Sequence, residues 1–353
     1  MADVSGRGIK TGGGTVSGLA PVAPKGFVKA QPGTAWDKGA VDMSAYRIAV
    51  LLPCYNEEAA IAQTVAGFRA ALPEAEIYVY DNNSHDRTRE IAAAAGAIVR
   101  TERMQGKGNV VRRMFADVEA DVYVMADGDA TYDASAAPEL VRRLVEEQLD
   151  MVVGARKSEV EEAYRAGHVL GNRLFTGLLS RLFGRTFSDI FSGYRVFSRR
   201  FAKSFPALSR GFETETEISV HALELAMPVG EVVTAYGARP EGSESKLSTY
   251  RDGWRIMKTI LHLYRIERPV LFYGSFGLML AMVALVLSIP LAITFAQTGL
   301  VPRLPTAILA TGLIILAFMS FMCGLILDTV VRGRREVRRL AYLSYPAVGN
   351  KAA

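Results

Sequence analysis

Two carboxylates separated by one glycine, Asp127 and Asp129, close an apolar strand-like run that begins at Val122. Alternate residues of a strand point the same way, so both carboxylates can reach one hard divalent cation, which prefers oxygen ligands and partners diphosphate. Asp127-Gly128-Asp129 therefore reads as a metal-diphosphate clamp, set against the plainer alternative of turn chemistry. Its neighbours bear on the choice.

Upstream, Ile48 to Pro53 is a buried-strand run that leads through Cys54-Tyr55-Asn56-Glu57-Glu58 into an alanine-rich helical pattern ending at Ala71. A second run, Ile77 to Tyr80, opens into Asp81-Asn82-Asn83-Ser84-His85-Asp86 and feeds a helix from roughly Arg87 to Ala95. These are βαβ units, which predict an α/β fold with a Rossmann-like nucleotide-binding sheet. Three strands thus bring polar or acidic residues to their carboxyl ends, where such a sheet binds its ligand.

With Pro53-Cys54-Tyr55-Asn56-Glu57, Asp81-Asn82-Asn83-Ser84 and Asp127-Gly128-Asp129 in this order, the chain resembles the family-two glycosyltransferases of the GT-A fold over about residues 46 to 245. Gly106-Lys107-Gly108-Asn109, Gly154-Ala155-Arg156 and Asp189-Ile190-Phe191-Ser192-Gly193-Tyr194-Arg195 narrow the resemblance to polyprenyl-phosphate glycosyltransferases, the group of dolichyl-phosphate mannose synthase. The resemblance implies an inverting transfer from a UDP- or GDP-sugar to polyprenyl phosphate, with Mg²⁺ or Mn²⁺ on Asp127 and Asp129. It also implies that Pro53, Tyr55, Asn56, Glu57, Asp81 and Asn83, with Lys107, Asp127 and Gly128, hold the nucleotide. Asn82 and Asn83 depart from the usual Asp-Asp-Gly-Ser motif, which leaves the base open.

On the same resemblance, Arg156 binds the lipid phosphate, Arg173 supplies a second cation, and Asp189 lies near the reaction centre. A guanidinium fork suits phosphate better than an ammonium does, and a lipid phosphate, with a second pKa of about 6, needs cations to position it more than a base. Arg156 and Arg173 could instead make structural salt bridges. Gly106-Lys107-Gly108 lacks the spacing of a P-loop and offers a flexible backbone with one cation, or an ordinary surface lysine. Either Glu213 or Glu215, in the acidic row with Glu217, could bond the donor sugar; a solvated helix start reads as well. The segment from Arg239 to Leu247 resembles the family's closing loop.

Half of the 353 residues are hydrophobic, and they concentrate toward the C-terminus. Val270 to Phe295 and Leu304 to Leu327 hold no charge, so each is long enough to cross a hydrocarbon core of about 30 Å. Arginines flank the pair on its outer sides while Arg303 alone lies between, which predicts cytoplasmic termini and an inner-membrane hairpin. The segment from Tyr250 to Pro269 carries Trp254, Ile256 and Leu261 among cations, as in a helix lying in the headgroup layer; packing under the sheet is the alternative.

The expected organisation is a disordered tail over 1–44, rich in Gly, Pro and Ser, a GT-A domain over 45–250 and an interfacial helix over 251–269. Two membrane helices over 270–331 and a basic cytoplasmic tail over 332–353 complete it. A net charge of +5 fits an anionic membrane surface and calls for no nucleic acid. Cys54 and Cys323 fall in a strand-end loop and a span, so no disulfide is expected, and the four histidines share no zinc spacing. Any homo-oligomer is expected to pair hairpins through Gly274, Gly277 and Gly312. A polysaccharide synthase would need a Gln-x-x-Arg-Trp motif and more spans, and a non-catalytic nucleotide-sugar scaffold has no need of Asp127, Asp129 and Arg156 together.

Overall fold

The computed structural model describes residues 42–158, 187–209, 211, 213–237, 258, 261, 264–266 and 268–349. Arg173, His168, His262, the segment from Arg239 to Leu247, most of the tail over 1–44 and most of the segment from Tyr250 to Pro269 lie outside the described residues.

Seven strands form one sheet: β1 (Ile48–Cys54), β2 (Glu76–Asp81), β3 (Ile98–Thr101), β4 (Val122–Met125), β5 (Met151–Ser158), β6 (Arg195–Ser198) and β7 (Val229–Tyr236). Their order is β3-β2-β1-β4-β6-β5-β7, and β6 alone runs antiparallel to its neighbours. The chain winds outward from β1 through β2 to β3, then returns to place β4 on the other side of β1. That reversal is a switch point, and the crevice it opens at the carboxyl ends of β1 and β4 is where ligands bind such sheets.

Apolar runs without strict polar alternation make sense here because both faces are covered. Ala49, Leu51, Tyr123 and Met125 face one core with helices α3 (Lys107–Asp117), α5 (Arg199–Ser204) and α6 (Thr214–Glu224). Val50, Leu52, Val122 and Val124 face the other, against α1 (Ile61–Ala71) and α4 (Ala137–Glu146); the short α2 (Thr88–Ala94) also lies on that side, through Ala92. The strand expected over Met151 to Val153 runs on to Ser158, because all eight residues pair with β7, so Arg156 lies within the strand. Neither β6 nor β7 stands out in the sequence as a strand.

Within α6, His221 is buried with Nε2 3.1 Å from Ser204 Oγ, its ring set edge-on against Phe201 and Phe205. Burial, helped by the nearby Arg338 charge, pushes its pKa down to about 3. The native ring therefore stays neutral while the unfolded chain takes up a proton below about 6.5, so this stability is present above that pH and is lost toward pH 3. Lowering the pH from 7 to 5 should cost about 2 kcal/mol through this group. Denaturant titrations at both pH values should show that loss, and His221→Gln should flatten it; an equal loss in the variant assigns the slope to other groups.

Two helices follow: α7 (Pro269–Thr298) and α8 (Leu304–Leu343), joined by a short turn at Gly299. Both are long and apolar enough to cross a membrane. Large apolar side chains such as Leu285, Val286, Ile308 and Phe318 remain exposed along them, as lipid-facing residues do. The chain is thus membrane-associated through this pair.

The helices meet at small residues. A Cβ on Gly277 would lie 2.8 Å from the Ala317 carbonyl oxygen, and one on Gly324 3.3 Å from Tyr273 and the Pro269 carbonyl. Gly274 likewise faces Phe321 of the same chain, whereas Gly312 has open space around it. Two of the three glycines expected to pair with another copy therefore close the hairpin itself, for the same reason that small residues suit any close helix crossing.

Candidate functional site

The carboxyl ends of β1, β2 and β4 are tied into one edge by side chains that bond the neighbouring loop. Asn56 takes a left-handed backbone (φ 53°), its N–H donates to Ser84 Oγ at 2.9 Å, and its Oδ1 accepts from the His85 N–H at 2.8 Å. The Glu57 N–H donates to Thr88 Oγ1 at 2.8 Å. Asp81 is fully buried, both its oxygens accept from the Ser84 N–H at 3.3 Å, and Arg89 lies 3.9 Å away. Pro53, Tyr55, Asn56, Glu57 and Asn83 are half-buried along this rim.

Asn82, where the resembling motif carries an aspartate, turns away from the rim. Its amide donates to the Glu102 and Met104 carbonyls at 2.8 and 2.9 Å, and its Oδ1 accepts from the Gly106 N–H at 2.7 Å. Asn83, also left-handed (φ 64°), donates to the Arg103 carbonyl at 2.7 Å. An amide can donate and accept at once where a carboxylate only accepts, which suits asparagine to this seat for the Gly106-Lys107 turn.

Asp127 and Asp129 leave β4 differently engaged. Asp129 is buried and accepts from Thr131 Oγ1 at 2.6 Å and from its N–H at 3.2 Å, whereas Asp127 is part-exposed and paired with Lys107. Lys107 Nζ also lies 2.5 Å from Glu215 Oε1. Burial pulls the pKa of this ammonium down; Asp127 and Glu215 outweigh it and hold it well above the ordinary lysine value. Lys107 is thus a half-buried cation bridging two carboxylates, and of Glu213 and Glu215 it is Glu215 that the fold brings to it. Glu215 is not part of a solvated helix start: it is buried, and its Oε2 has no hydrogen-bond partner among the described residues.

The segment before β6 closes over this group. A Cβ on Gly193 would lie 2.8 Å from Asp127 Oδ2 and 3.2 Å from Lys107 Nζ, so only glycine lets the chain pass there. Its N–H donates to the Tyr132 hydroxyl at 2.8 Å. The Tyr132 ring meets Tyr236 at 5.3 Å, and the Arg156 guanidinium lies over Tyr236 at 5.3 Å. Arg156 donates twice to Asp189, Nε to Oδ2 at 2.6 Å and Nη2 to Oδ1 at 2.9 Å. Asp189 thus orients Arg156, while Arg195 is fully buried and bonds the Ile190 and Ser192 carbonyls and Ser219, holding the segment from beneath. Tyr132 and Tyr236 escaped the sequence reading; the only signal was Tyr132 three residues beyond Asp129.

Gly128 packs against Cys54, whose Sγ lies 2.3 Å from where a Cβ would be. Burial first, then the charges of Glu57, Asp81, Asp127 and Asp129, push the Cys54 thiol far up, so it stays protonated and unreactive. Both cysteines are free. The same four carboxylates make the edge strongly acidic. No group of three or more His, Cys, Asp or Glu side chains among the described residues could by itself cage a metal. The donor set present, Asp127 and Asp129, fits a hexacoordinate hard cation that completes its shell with substrate phosphates and water.

An open α/β sheet with an acidic carboxyl edge at its switch point is the arrangement of the GT-A fold. A family model described as "Glycosyl transferase family 2" matches residues 49–205. Glycosyltransferase AglJ of Haloferax volcanii is 31% identical over 291 residues, 82% of this chain and 95% of that protein. A dolichyl-phosphate hexose transferase of the same organism is 30% identical over 222 residues, 63% of this chain and 95% of that protein. Among solved structures, glucosyl-3-phosphoglycerate synthase from Mycobacterium tuberculosis, in complex with Mn²⁺, UDP and glucosyl-3-phosphoglycerate, superimposes with a TM-score of 0.51 at 24% identity. That likeness covers 63% of this chain and 80% of the other. The chain belongs to glycosyl transferase family 2.

Proposed function

We propose that the protein moves a sugar from a nucleoside-diphosphate sugar to polyprenyl phosphate at a membrane surface, inverting the anomeric configuration. The observation that carries this reading is one chain holding both the acidic family-two edge and two lipid-facing helices, and the likeness to a dolichyl-phosphate hexose transferase supports it. Asn56, Glu57 and Asp81 would hold the nucleoside, with Pro53, Tyr55, Asn83 and Gly128 shaping its walls. Asp127 and Asp129 would hold Mg²⁺ or Mn²⁺, which when bound neutralises the departing diphosphate. Lys107 adds a fixed positive charge beside the same phosphates.

The acceptor phosphate, largely dianionic near neutral pH, attacks the anomeric carbon through one oxygen while the bond to the diphosphate breaks and its electron pair leaves with that group. No proton moves, so no general base is required. Arg156, held by Asp189 and stacked on Tyr236, would position the acceptor, and Arg173 is proposed as a second cation for the same phosphate. The catalytic unit would span about 45–250, with the termini on the cytoplasmic side of the inner membrane, as the flanking arginines favour.

Because Asp189 acts through Arg156, Asp189→Asn should slow transfer about tenfold to a hundredfold, and adding Arg156→Lys should cost little more. Fully multiplicative losses would show that the two act separately. The reading itself is tested by offering UDP- and GDP-sugars with Mn²⁺ to the purified protein, with polyprenyl phosphate or 3-phosphoglycerate as acceptor. A lipid-extractable, acid-labile product supports it; transfer only to the water-soluble acceptor overturns it.

A further inference from the structure

Helix α8 has 40 residues, about 60 Å at 1.5 Å per residue, roughly twice the hydrocarbon thickness. Its charge-free part ends at Leu327, yet the helix continues through Asp328 and five arginines to Leu343. The segment expected as a basic tail is therefore the far end of a membrane helix, and it is docked. Arg335 Nε donates to Glu224 Oε1 at 2.9 Å, and Arg338 pairs with the other oxygen of the same carboxylate, whose side chain is 2% exposed. One turn on, the Tyr342 hydroxyl donates to Asp150 Oδ2 at 2.8 Å, and Arg200 lies 4.7 Å over the Tyr342 ring while itself bonding Asp150. Beyond the helix, Arg199 covers Tyr345 and Val348 is buried in the core.

These attachments share one edge of the sheet. Asp150 immediately precedes β5, and Arg156 lies toward the other end of that strand. Glu224 ends α6, and Glu215 beside Lys107 begins it. Arg199 and Arg200 follow β6, whose reversed direction brings its end to the same edge as the starts of β1 and β4. The site occupies the opposite edge.

We propose that the polar end of α8 is a clasp that holds the non-catalytic edge of the sheet away from the bilayer and so keeps the catalytic edge turned toward the membrane surface. Glu224 and Asp150 are its positioning residues. A domain joined to the hairpin only through the chain between β7 and α7 would be fixed at one point; the clasp adds a second, and two points restrict rotation. The kinetic consequence rests on the lipid-acceptor reading; the orientation does not.

The test uses the full chain in liposomes, with Cys323→Ser and a spin label at Met104→Cys near the catalytic edge or at Glu74→Cys near the opposite one. Headgroup-chelated gadolinium should relax the label at 104 several-fold more than the label at 74, and Arg335→Gln/Arg338→Gln/Tyr342→Phe should bring the ratio toward one. Equal relaxation in the native chain, or a ratio unchanged by the triple substitution and by Glu224→Gln, overturns the proposal. The same variants should raise KM for bilayer polyprenyl phosphate about tenfold and leave turnover of a water-soluble short prenyl phosphate in detergent unchanged. Parallel losses on both acceptors would mean a merely structural role and also overturn it. If the native protein uses neither acceptor, the lipid-acceptor reading falls and the relaxation ratio alone decides the clasp.

Discussion

Asp129→Ala and Asp127→Asn are each expected to lower kcat/KM for sugar transfer by about 10³-fold or more, because charge developing on a departing diphosphate is the largest electrostatic demand of the reaction. The two should differ in what else they disturb. Asp129 is buried and accepts two bonds from Thr131, so its loss should also loosen the turn after β4 and lower the melting temperature. Asp127 is part-exposed, and its amide replacement keeps shape while leaving Lys107 with Glu215 alone. Calorimetric titration of Mn²⁺ with a nucleoside diphosphate present separates these effects from turnover: both variants should lose the metal-dependent heat. Transfer within about tenfold of native in either variant would remove the carboxylate pair from the reaction.

Lys107→Met should destabilise the protein by about 3 kcal/mol and also abolish transfer, since it strips the cation from a buried carboxylate whose second oxygen has no partner among the described residues. Two carboxylates that have lost the cation between them, one of them buried, cannot both remain charged at little cost. Adding Glu215→Leu to Lys107→Met should return most of the stability, because removing both members of a buried pair costs far less than removing one. It should not return activity, since the charge proposed to face the diphosphate is still missing. Denaturant melts of the four members of the cycle give the coupling energy; a coupling near zero would mean that Lys107 and Glu215 merely lie close.

The fold was legible where local pattern and burial agree. Ile48 to Pro53 and Val122 to Met125 read as strands because both faces of each are covered, and the two charge-free runs read as spans because the apolar side chains of these helices face outward. Elements whose identity depends on distant partners were not legible. Arg195 to Ser198 is a strand only because it fits antiparallel between β4 and β5, and β5 reaches Arg156 only because β7 pairs along its length. At the site, Asp127 and Asp129 stood out by their spacing read together with the two neighbouring strand ends. Glu215 could not be told from Glu213, since what separates them is Lys107, more than a hundred residues upstream. Nor could α8 be seen to carry its charged end onto the sheet, because an arginine-rich run after a span reads the same whether it is solvated or docked.

The bonds of Asn82 bear on how this cleft could change its choice of nucleotide. One amide joins the turn after β2, the strand-end loop at Glu102 to Met104 and the turn that seats Lys107. A substitution at this position would therefore move the cation as well as the rim. If the cleft holds a nucleotide as proposed, base preference and phosphate handling would share this one hinge pin, and a lineage drifting toward a different donor should alter Asn56, Asn83 or Tyr55 first and leave Asn82 in place.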